Sequence, residues 1–116
     1  MKVVINCCYG GFSLSEKAME TYILKKGWEY KKMPPAFFNT DFMIKKEQDQ
    51  EWNYFDDVEI HRSDPDLLST IEELGLEESN GSFAELRVVE IPDDIEWELS
   101  EYDGIECVAE VHRRWC

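Results

Sequence analysis

The first sixteen residues contain a strand-like apolar run, a pair of adjacent glycines and a helix start in immediate succession. The run Lys2–Asn6 is short and β-branched, which predicts a strand. Gly10 and Gly11 permit backbone angles that other residues avoid, and they allow a ligand to approach the main chain. Ser13 precedes Glu16 by three positions, as in a capping box. The segment therefore predicts a tight turn that leads from a strand directly into a capped helix.

Two interpretations of this turn remain open on local grounds. Tyr9 and Phe12 flank the glycines as candidate walls for a flat ring, and free N–H groups at a helix start favour an anion. These features outline a site for a small, anionic, ring-bearing ligand. The glycine spacing does not match the dinucleotide or P-loop fingerprints. An ordinary turn into a capped helix accounts for the same residues.

The net charge of −14 is distributed unevenly along the chain. Residues 1–46 carry eight Lys and four acids, whereas residues 47–116 carry four Arg and twenty-two acids. The acids alternate with apolar residues, which indicates solvated faces of ordered elements. Duplex nucleic acid is disfavoured as a partner, because phosphate contact needs a basic surface. The acidity suits either plain solubility or a nucleic-acid mimic that blocks the basic groove of a host enzyme.

The length of 116 residues predicts one domain, residues 1–116. No apolar run reaches the length of a membrane span, and a signal-peptide core is missing, so we expect a cytoplasmic protein without a membrane partner. The four cysteines lack C-x-x-C spacing, and we expect reduced thiols; zinc held with His61 or His112 is the alternative. Because no motif with catalytic mechanics occurs, we expect neither an enzyme nor a bound cofactor or metal.

The residue pattern predicts a small α+β domain with an antiparallel sheet and two main helices. One helix is predicted over residues 15–26 and ends at Gly27. A second begins with Asp64 as N-cap and Pro65 at its first position, and it ends at Gly75. A polar turn follows over residues 77–82.

Strands are predicted at residues 2–6, 28–32, 86–91, 95–99 and 105–111. A helix over residues 106–112 stays an alternative to the last strand. Residues 33–60 mix aromatic and polar residues without a clear period, which indicates a long loop or insertion with aromatic anchors.

Arginine and one phenylalanine are the remaining candidates for ligand contact. Arg62 precedes a helix start and Arg113 lies near the last aromatic residue. Each arginine is either paired with local carboxylates or available to fork onto phosphate oxygens. Phe83 follows the turn residue Asn80 and is either a core residue or a platform for stacking.

Five segments at the two ends of the chain resemble a family of small phage-encoded proteins in residues and spacing. They are residues 3–15, 72–75, 80–94, 102–106 and 112–115. Residues 27–60 stay unmatched. By these segments the chain resembles the first of the Thoeris anti-defence families. The resemblance implies a sponge that binds, without cleaving it, the cyclic ADP-ribose isomer made by bacterial TIR enzymes. For some members it extends to cyclic oligonucleotides, and it implies a homodimer or a hexamer in the host cytoplasm.

The resemblance also implies roles for single residues. Phe83 becomes the adenine-stacking ring, while Arg62 and Arg113 become clamps on phosphate or ribose. The ligand would also meet Asn80 and Asp93, the latter standing where related members can carry Asn. The wall of the glycine loop would consist of Tyr9, Gly10, Gly11, Phe12 and Ser13.

Overall fold

The computed structural model describes residues 1–33, 41–110 and 114–115. The helices are α1 (Glu16–Lys26), α2 (Pro65–Leu74) and α3 (Leu76–Ser79). The strands are β1 (Lys2–Asn6), β2 (Glu29–Met33), β3 (Asp41–Lys45), β4 (Asn53–Tyr54), β5 (Leu86–Glu90), β6 (Glu98–Tyr102), β7 (Ile105–Ala109) and β8 (Arg114–Trp115). The prediction of an α+β domain with antiparallel strands and two main helices is confirmed.

The strands form three antiparallel sheets, in the orders β1-β5, β2-β3-β4 and β6-β7-β8. In the first sheet Lys2 lies opposite Glu90 and Asn6 lies opposite Leu86. The two ends of this ladder have different surroundings. We call the end at Asn6 the turn end and the end at Lys2 the N-terminal end.

The ladder lies between two apolar clusters, which explains why β1 is a nearly continuous apolar run. Val4 and Leu86 belong to a cluster that also contains the buried residues of α1 and α2. Val3 and Ile5 belong to a second cluster with Val108 of β7. Alternate β1 residues thus face the helices on one side and the C-terminal hairpin on the other.

Both main helices begin and end close to the predicted positions. Asp64 caps α2 by accepting the Asp66 N–H at 2.8 Å. For α1 the N-cap is Ser15, whose hydroxyl accepts the Ala18 N–H at 3.1 Å. The capping box expected from Ser13 is therefore wrong. Ser13 lies two residues before the cap, in the turn itself.

Of the two alternatives for residues 33–60, a long loop or an insertion, the long loop is wrong for the described part of that range, which contains β3 and β4. β3 pairs with β2 along its whole length and with β4 near its end. Phe42 and Ile44 of β3 are buried, so the alternation of that strand was present in the sequence but lay between turn-like neighbours. Residues 34–40 lie outside the described residues.

The predicted C-terminal hairpin forms, although its first strand begins later than predicted. β6 begins at Glu98, three residues after the predicted start at Ile95, and the hairpin turns at Asp103 and Gly104. Residues 105–109 are a strand, which rules out the helical alternative there. The predicted polar turn contains the short helix α3.

Cysteine chemistry differs in part from the expectation of four reduced thiols. Cys7 and Cys8 are free, whereas Cys107 is disulfide-bonded. Within the described ranges, none of the helices combines the length and the apolar character that crossing a bilayer requires.

Candidate ligand-binding surface at the glycine turns

Three turns meet at the turn end of the ladder, and their main chains are in direct contact. A Cβ atom placed on Gly10 would overlap the carbonyl oxygen of Phe83, so only glycine fits there without a backbone shift. On Gly104, which has a φ of +88°, a Cβ would lie 2.6 Å from the Gly11 nitrogen. The strand-to-helix turn therefore packs against both the turn before β5 and the turn of the C-terminal hairpin.

Asn6 holds these turns together through its buried side-chain amide. Its Nδ2 donates to the carbonyl oxygens of Cys8 at 2.6 Å and Gly104 at 2.7 Å. Its Oδ1 accepts the N–H of Glu85 at 2.9 Å and that of Cys8 at 3.3 Å. One side chain thus bonds to all three turn segments. Buried polar networks that are fully satisfied in this way fix a single arrangement.

A buried ion pair lies beneath the turns. The Arg62 guanidinium donates to Glu106 through Nε at 3.1 Å and through Nη2 at 2.7 Å. Glu106 also accepts the main-chain N–H of Asn6 at 3.1 Å. The guanidinium carbon of Arg62 lies 3.6 Å from the ring centroid of buried Phe12. Phe12 and Arg62 therefore pack on the buried side of the strand-to-helix turn.

Arg62 is thus paired with a carboxylate, one of the two alternatives that the sequence left open, and is not the surface clamp that the resemblance implies. It is only 5% exposed. Its Nη1 donates to the carbonyl oxygens of Val58 at 2.9 Å and Ile60 at 2.6 Å, in addition to the two bonds with Glu106. Since a buried charge has to be neutralised within the protein, Glu106 holds the guanidinium away from any phosphate at the surface.

Aromatic rings remain exposed around the same turns. Tyr9 is 72% exposed and Phe83 is 66% exposed, and both belong to the turns that meet at Gly10. Tyr102, which precedes the hairpin turn at Asp103, is 76% exposed. We call the surface formed by Tyr9, Gly10, Gly11, Phe83 and Tyr102 the glycine-turn surface. Its exposed rings and tightly held main chain suit contact with a flat ring.

Ser13 and Asn80, also predicted to contact ligand, hold the chain together. The carbonyl oxygen of Ser13 accepts the Gly81 N–H at 3.0 Å. The side chain of Asn80 accepts the Leu86 N–H at 2.8 Å. Both residues therefore attach the turn before β5 to its neighbours.

The main-chain N–H of Leu14, two residues before α1, is not open to a ligand anion. The carboxylate of Asp57 accepts the Leu14 N–H at 2.8 Å. Burial raises the pKa of Asp57, and this hydrogen bond and the charge of Arg62 only partly oppose that shift. A carboxylate of the chain itself thus lies where the sequence suggested a ligand anion.

Asp93 lies at the opposite end of the ladder from Phe83. Its carboxylate pairs with the N-terminal ammonium of Met1, beside Lys2. The five residues of β5 separate it from the turns, a distance of roughly 14 Å or more at about 3.4 Å per residue. Within one chain, Phe83 and Asp93 therefore lie at opposite ends of the ladder, and the ligand contact expected of Asp93 stays a prediction. Arg113 lies outside the described residues, and its clamp role stays a prediction.

Sequence reasoning missed Asn6, Glu106 and Tyr102. An asparagine that ends an otherwise apolar strand next to glycines was a usable signal, because a buried amide needs partners. Glu106 gave no such signal, since it alternates with apolar residues just as the exposed acids do. Among the described residues, no group of histidine, cysteine or acidic side chains is arranged to hold a metal ion.

Comparisons of the chain with protein family models, curated proteins and solved structures found no match.

Proposed function

We propose that this protein binds and sequesters a cyclic nucleotide signal, such as a cyclic ADP-ribose isomer, without cleaving it. The observation that carries the proposal is the exposed ring of Phe83 on a main chain packed against Gly10. An apolar ring left in water forgoes about 25 cal/mol per Å² of burial. A ligand base that stacks on such a ring recovers part of that free energy, about 1–3 kcal/mol per base.

Rigidity of the turns supports the same proposal. The four hydrogen bonds of the Asn6 side chain tie together the turn segments that carry Tyr9 and Phe83. A surface that is already ordered loses little conformational entropy when a ligand binds, and this strengthens affinity. Tyr9 supplies a second ring beside the same main-chain contact.

Charge is the main obstacle to an anionic ligand. The chain carries a net charge of −14, and Arg62 is committed to Glu106. Screening over about 8 Å at physiological salt confines the repulsion largely to the association rate. The proposal assigns the phosphate contact to Arg113, on sequence grounds, and places the protein in the bacterial cytoplasm where TIR enzymes make the signal. It also expects a homodimer or hexamer, which light scattering measures.

The direct test is Phe83→Ala, assayed by calorimetry with a purified TIR-derived cyclic ADP-ribose isomer. We expect affinity to fall about ten- to a hundredfold, the equivalent of the stacking free energy, with an unchanged melting temperature. Tyr54→Ala is the matched control, because Tyr54 is 71% exposed but lies on β4, in a different sheet. Equal losses in both variants, or none in Phe83→Ala, would refute the stacking role.

Heating the loaded protein separates sequestration from catalysis. A sponge releases the cyclic ligand unchanged on denaturation, whereas an enzyme releases a product of altered mass. Mass spectrometry of the released ligand after long incubation decides between the two.

Arg113→Ala should weaken binding, and Arg113→Lys should restore it only in part, because an ammonium cannot form a bidentate fork.

A second candidate function is the acidic mimic that blocks a host nucleic-acid-binding enzyme. Glu96, Glu98 and Glu101 are exposed in and next to β6, which favours this candidate. Replacing these three and Glu110 by Gln should abolish suppression of a TIR defence if the acidic surface acts. The same variant should suppress normally if the glycine-turn surface acts, whereas Phe83→Ala should then fail.

A further inference from the structure

A second concave site lies at the N-terminal end of the ladder. This cleft of about 580 Å³ separates the segment before α2 from β6, and we call it the N-terminal cleft. Its apolar walls are Met1, Val58, Ile60, Trp97 and Leu99. The volume lies within the range of small-molecule pockets, about 300–1,000 Å³. It shares none of its lining residues with the glycine-turn surface.

Several contacts fix the walls of the cleft. The ring of His61 packs edge-on against Trp97, with a centroid distance of 5.7 Å, and it is hydrogen-bonded to the Ser63 hydroxyl at 2.8 Å. On the opposite side, the N-terminal ammonium of Met1 donates to the Ile91 carbonyl oxygen at 2.8 Å. The main chain at Arg62 is held by the Val4 N–H, which donates to its carbonyl oxygen at 2.8 Å. These contacts hold the walls of the cleft in place, so the cleft is part of the folded structure.

The charges around the cleft select the sign of a ligand. Its two cationic groups are neutralised within the chain, the Met1 ammonium by Asp93 and the Arg62 guanidinium by Glu106. Glu98 also lines the cleft and is exposed. Across the described ranges its carboxylate takes part in none of the ion pairs. Among the described residues, the cleft thus combines apolar walls with one carboxylate that has no ion-pair partner.

We propose that the N-terminal cleft binds a small organic cation, namely an ammonium group on an aromatic or bulky apolar body. The body replaces water against Leu99 and Ile60, which favours binding through apolar burial. The ammonium pairs with Glu98, and the indole of Trp97 offers a further attraction for the cation. This ligand is opposite in charge to the nucleotide proposed above, so the two sites are tested independently.

The test uses two small molecules with the same ring and opposite charge. Tryptamine carries an ammonium, and indole-3-acetate carries a carboxylate on a similar body. Titration of the full chain, followed by the NMR signals of the Trp97 indole N–H and the Leu99 methyl groups, reports on the cleft. We expect saturable shifts with tryptamine and at least tenfold weaker binding of indole-3-acetate. Comparable binding of the two, or the absence of saturable shifts with tryptamine, overturns the proposal.

Two variants distinguish the cleft from the general acidity of the chain. Glu98→Gln should weaken tryptamine binding about three- to fivefold, because the ammonium loses its exposed partner. Glu96→Gln removes the same charge from a neighbouring exposed residue that does not line the cleft, and it should leave binding within twofold. Equal effects of both variants would show a diffuse charge effect and overturn the proposal. Tighter binding of a lysine peptide without aromatic residues than of tryptamine would overturn it as well.

Discussion

The two ends of the β1–β5 ladder are built by different physical means. At the turn end, Asn6 and the Arg62–Glu106 pair are buried, and the main chains of three turns touch. At the N-terminal end, the ion pair of Met1 with Asp93 lies in water, beside an open cleft. Removing one partner of a buried ion pair strongly destabilises a folded protein, whereas an exposed ion pair contributes little to stability. The comparison teaches that buried polar groups hold the turn end of the ladder together, whereas an exposed ion pair lies at its N-terminal end.

The largest expected effect comes from breaking the buried pair at the turn end. Glu106→Gln leaves the Arg62 guanidinium buried without a counter-charge, which costs about 3–5 kcal/mol when one partner of such a pair is removed. Urea unfolding of the variant should show a loss of that size. Glu90→Gln, at an exposed position of β5, is the control and should change stability by less than about 0.5 kcal/mol.

A double variant sharpens this test. In Arg62→Met with Glu106→Gln, neither buried charge remains, so a substantial part of the loss should be recovered. If Glu106→Gln alone costs less than about 1 kcal/mol, the pair behaves as a surface ion pair and the contrast between the two ends fails.

A smaller effect is expected from the glycines that carry the turn contacts. Gly10→Ala forces the main chain away from Phe83, with a loss of about 1–3 kcal/mol from overpacking, and it should also weaken ligand binding by moving the ring. Gly27→Ala, at the end of α1 and away from the glycine-turn surface, is the matched variant, since a Cβ there meets nothing within 4 Å but the φ of +74° is strained. It should lose about 1–2 kcal/mol and keep its affinity. Unfolding curves and calorimetry on both variants measure the two quantities; equal loss of affinity would show that the contact with Phe83 does not matter.

The same comparison shows how far the sequence predicts this molecule. Helix limits followed from local signals, because Asp64, Pro65 and Gly27 act within one turn of the chain. The strand over residues 2–6 followed from composition alone. The strand β3 could not be predicted in this way. Its pairing with β2, which buries Phe42 and Ile44, involves residues distant in the sequence. Tertiary pairing decides such short strands.

The location of the candidate site could be predicted from the sequence, but the roles of its residues could be predicted only in part. The sequence directed attention to the glycine turn and to Phe83, which do meet in space. It left open whether Arg62 is paired or contacts a ligand, because nothing local tells a paired guanidinium from a free one, and the resemblance alone implied the ligand contact. The apolar alternation of β7 favours a core face for Ile105 and Cys107, yet these two are only half-buried, whereas Glu106, Val108 and Ala109 are buried. A one-residue change of face exchanges the buried and exposed sets of a strand, and here it hid the partner of Arg62.

The smallest effect is expected at the N-terminal end. Asp93→Asn removes the counter-charge of the Met1 ammonium, but the Asp93 side chain is 86% exposed. Solvent screens such a pair, so the loss in stability should stay below about 1 kcal/mol and vanish at high salt. Urea unfolding at low and high salt measures both quantities. The freed ammonium should also weaken tryptamine binding slightly in the N-terminal cleft, because it adds a positive charge beside the ligand. A salt-independent loss as large as that of Glu106→Gln would mean that both ends depend on their ion pairs alike, and the distinction between a buried pair that matters for stability and an exposed one that does not would have to be abandoned.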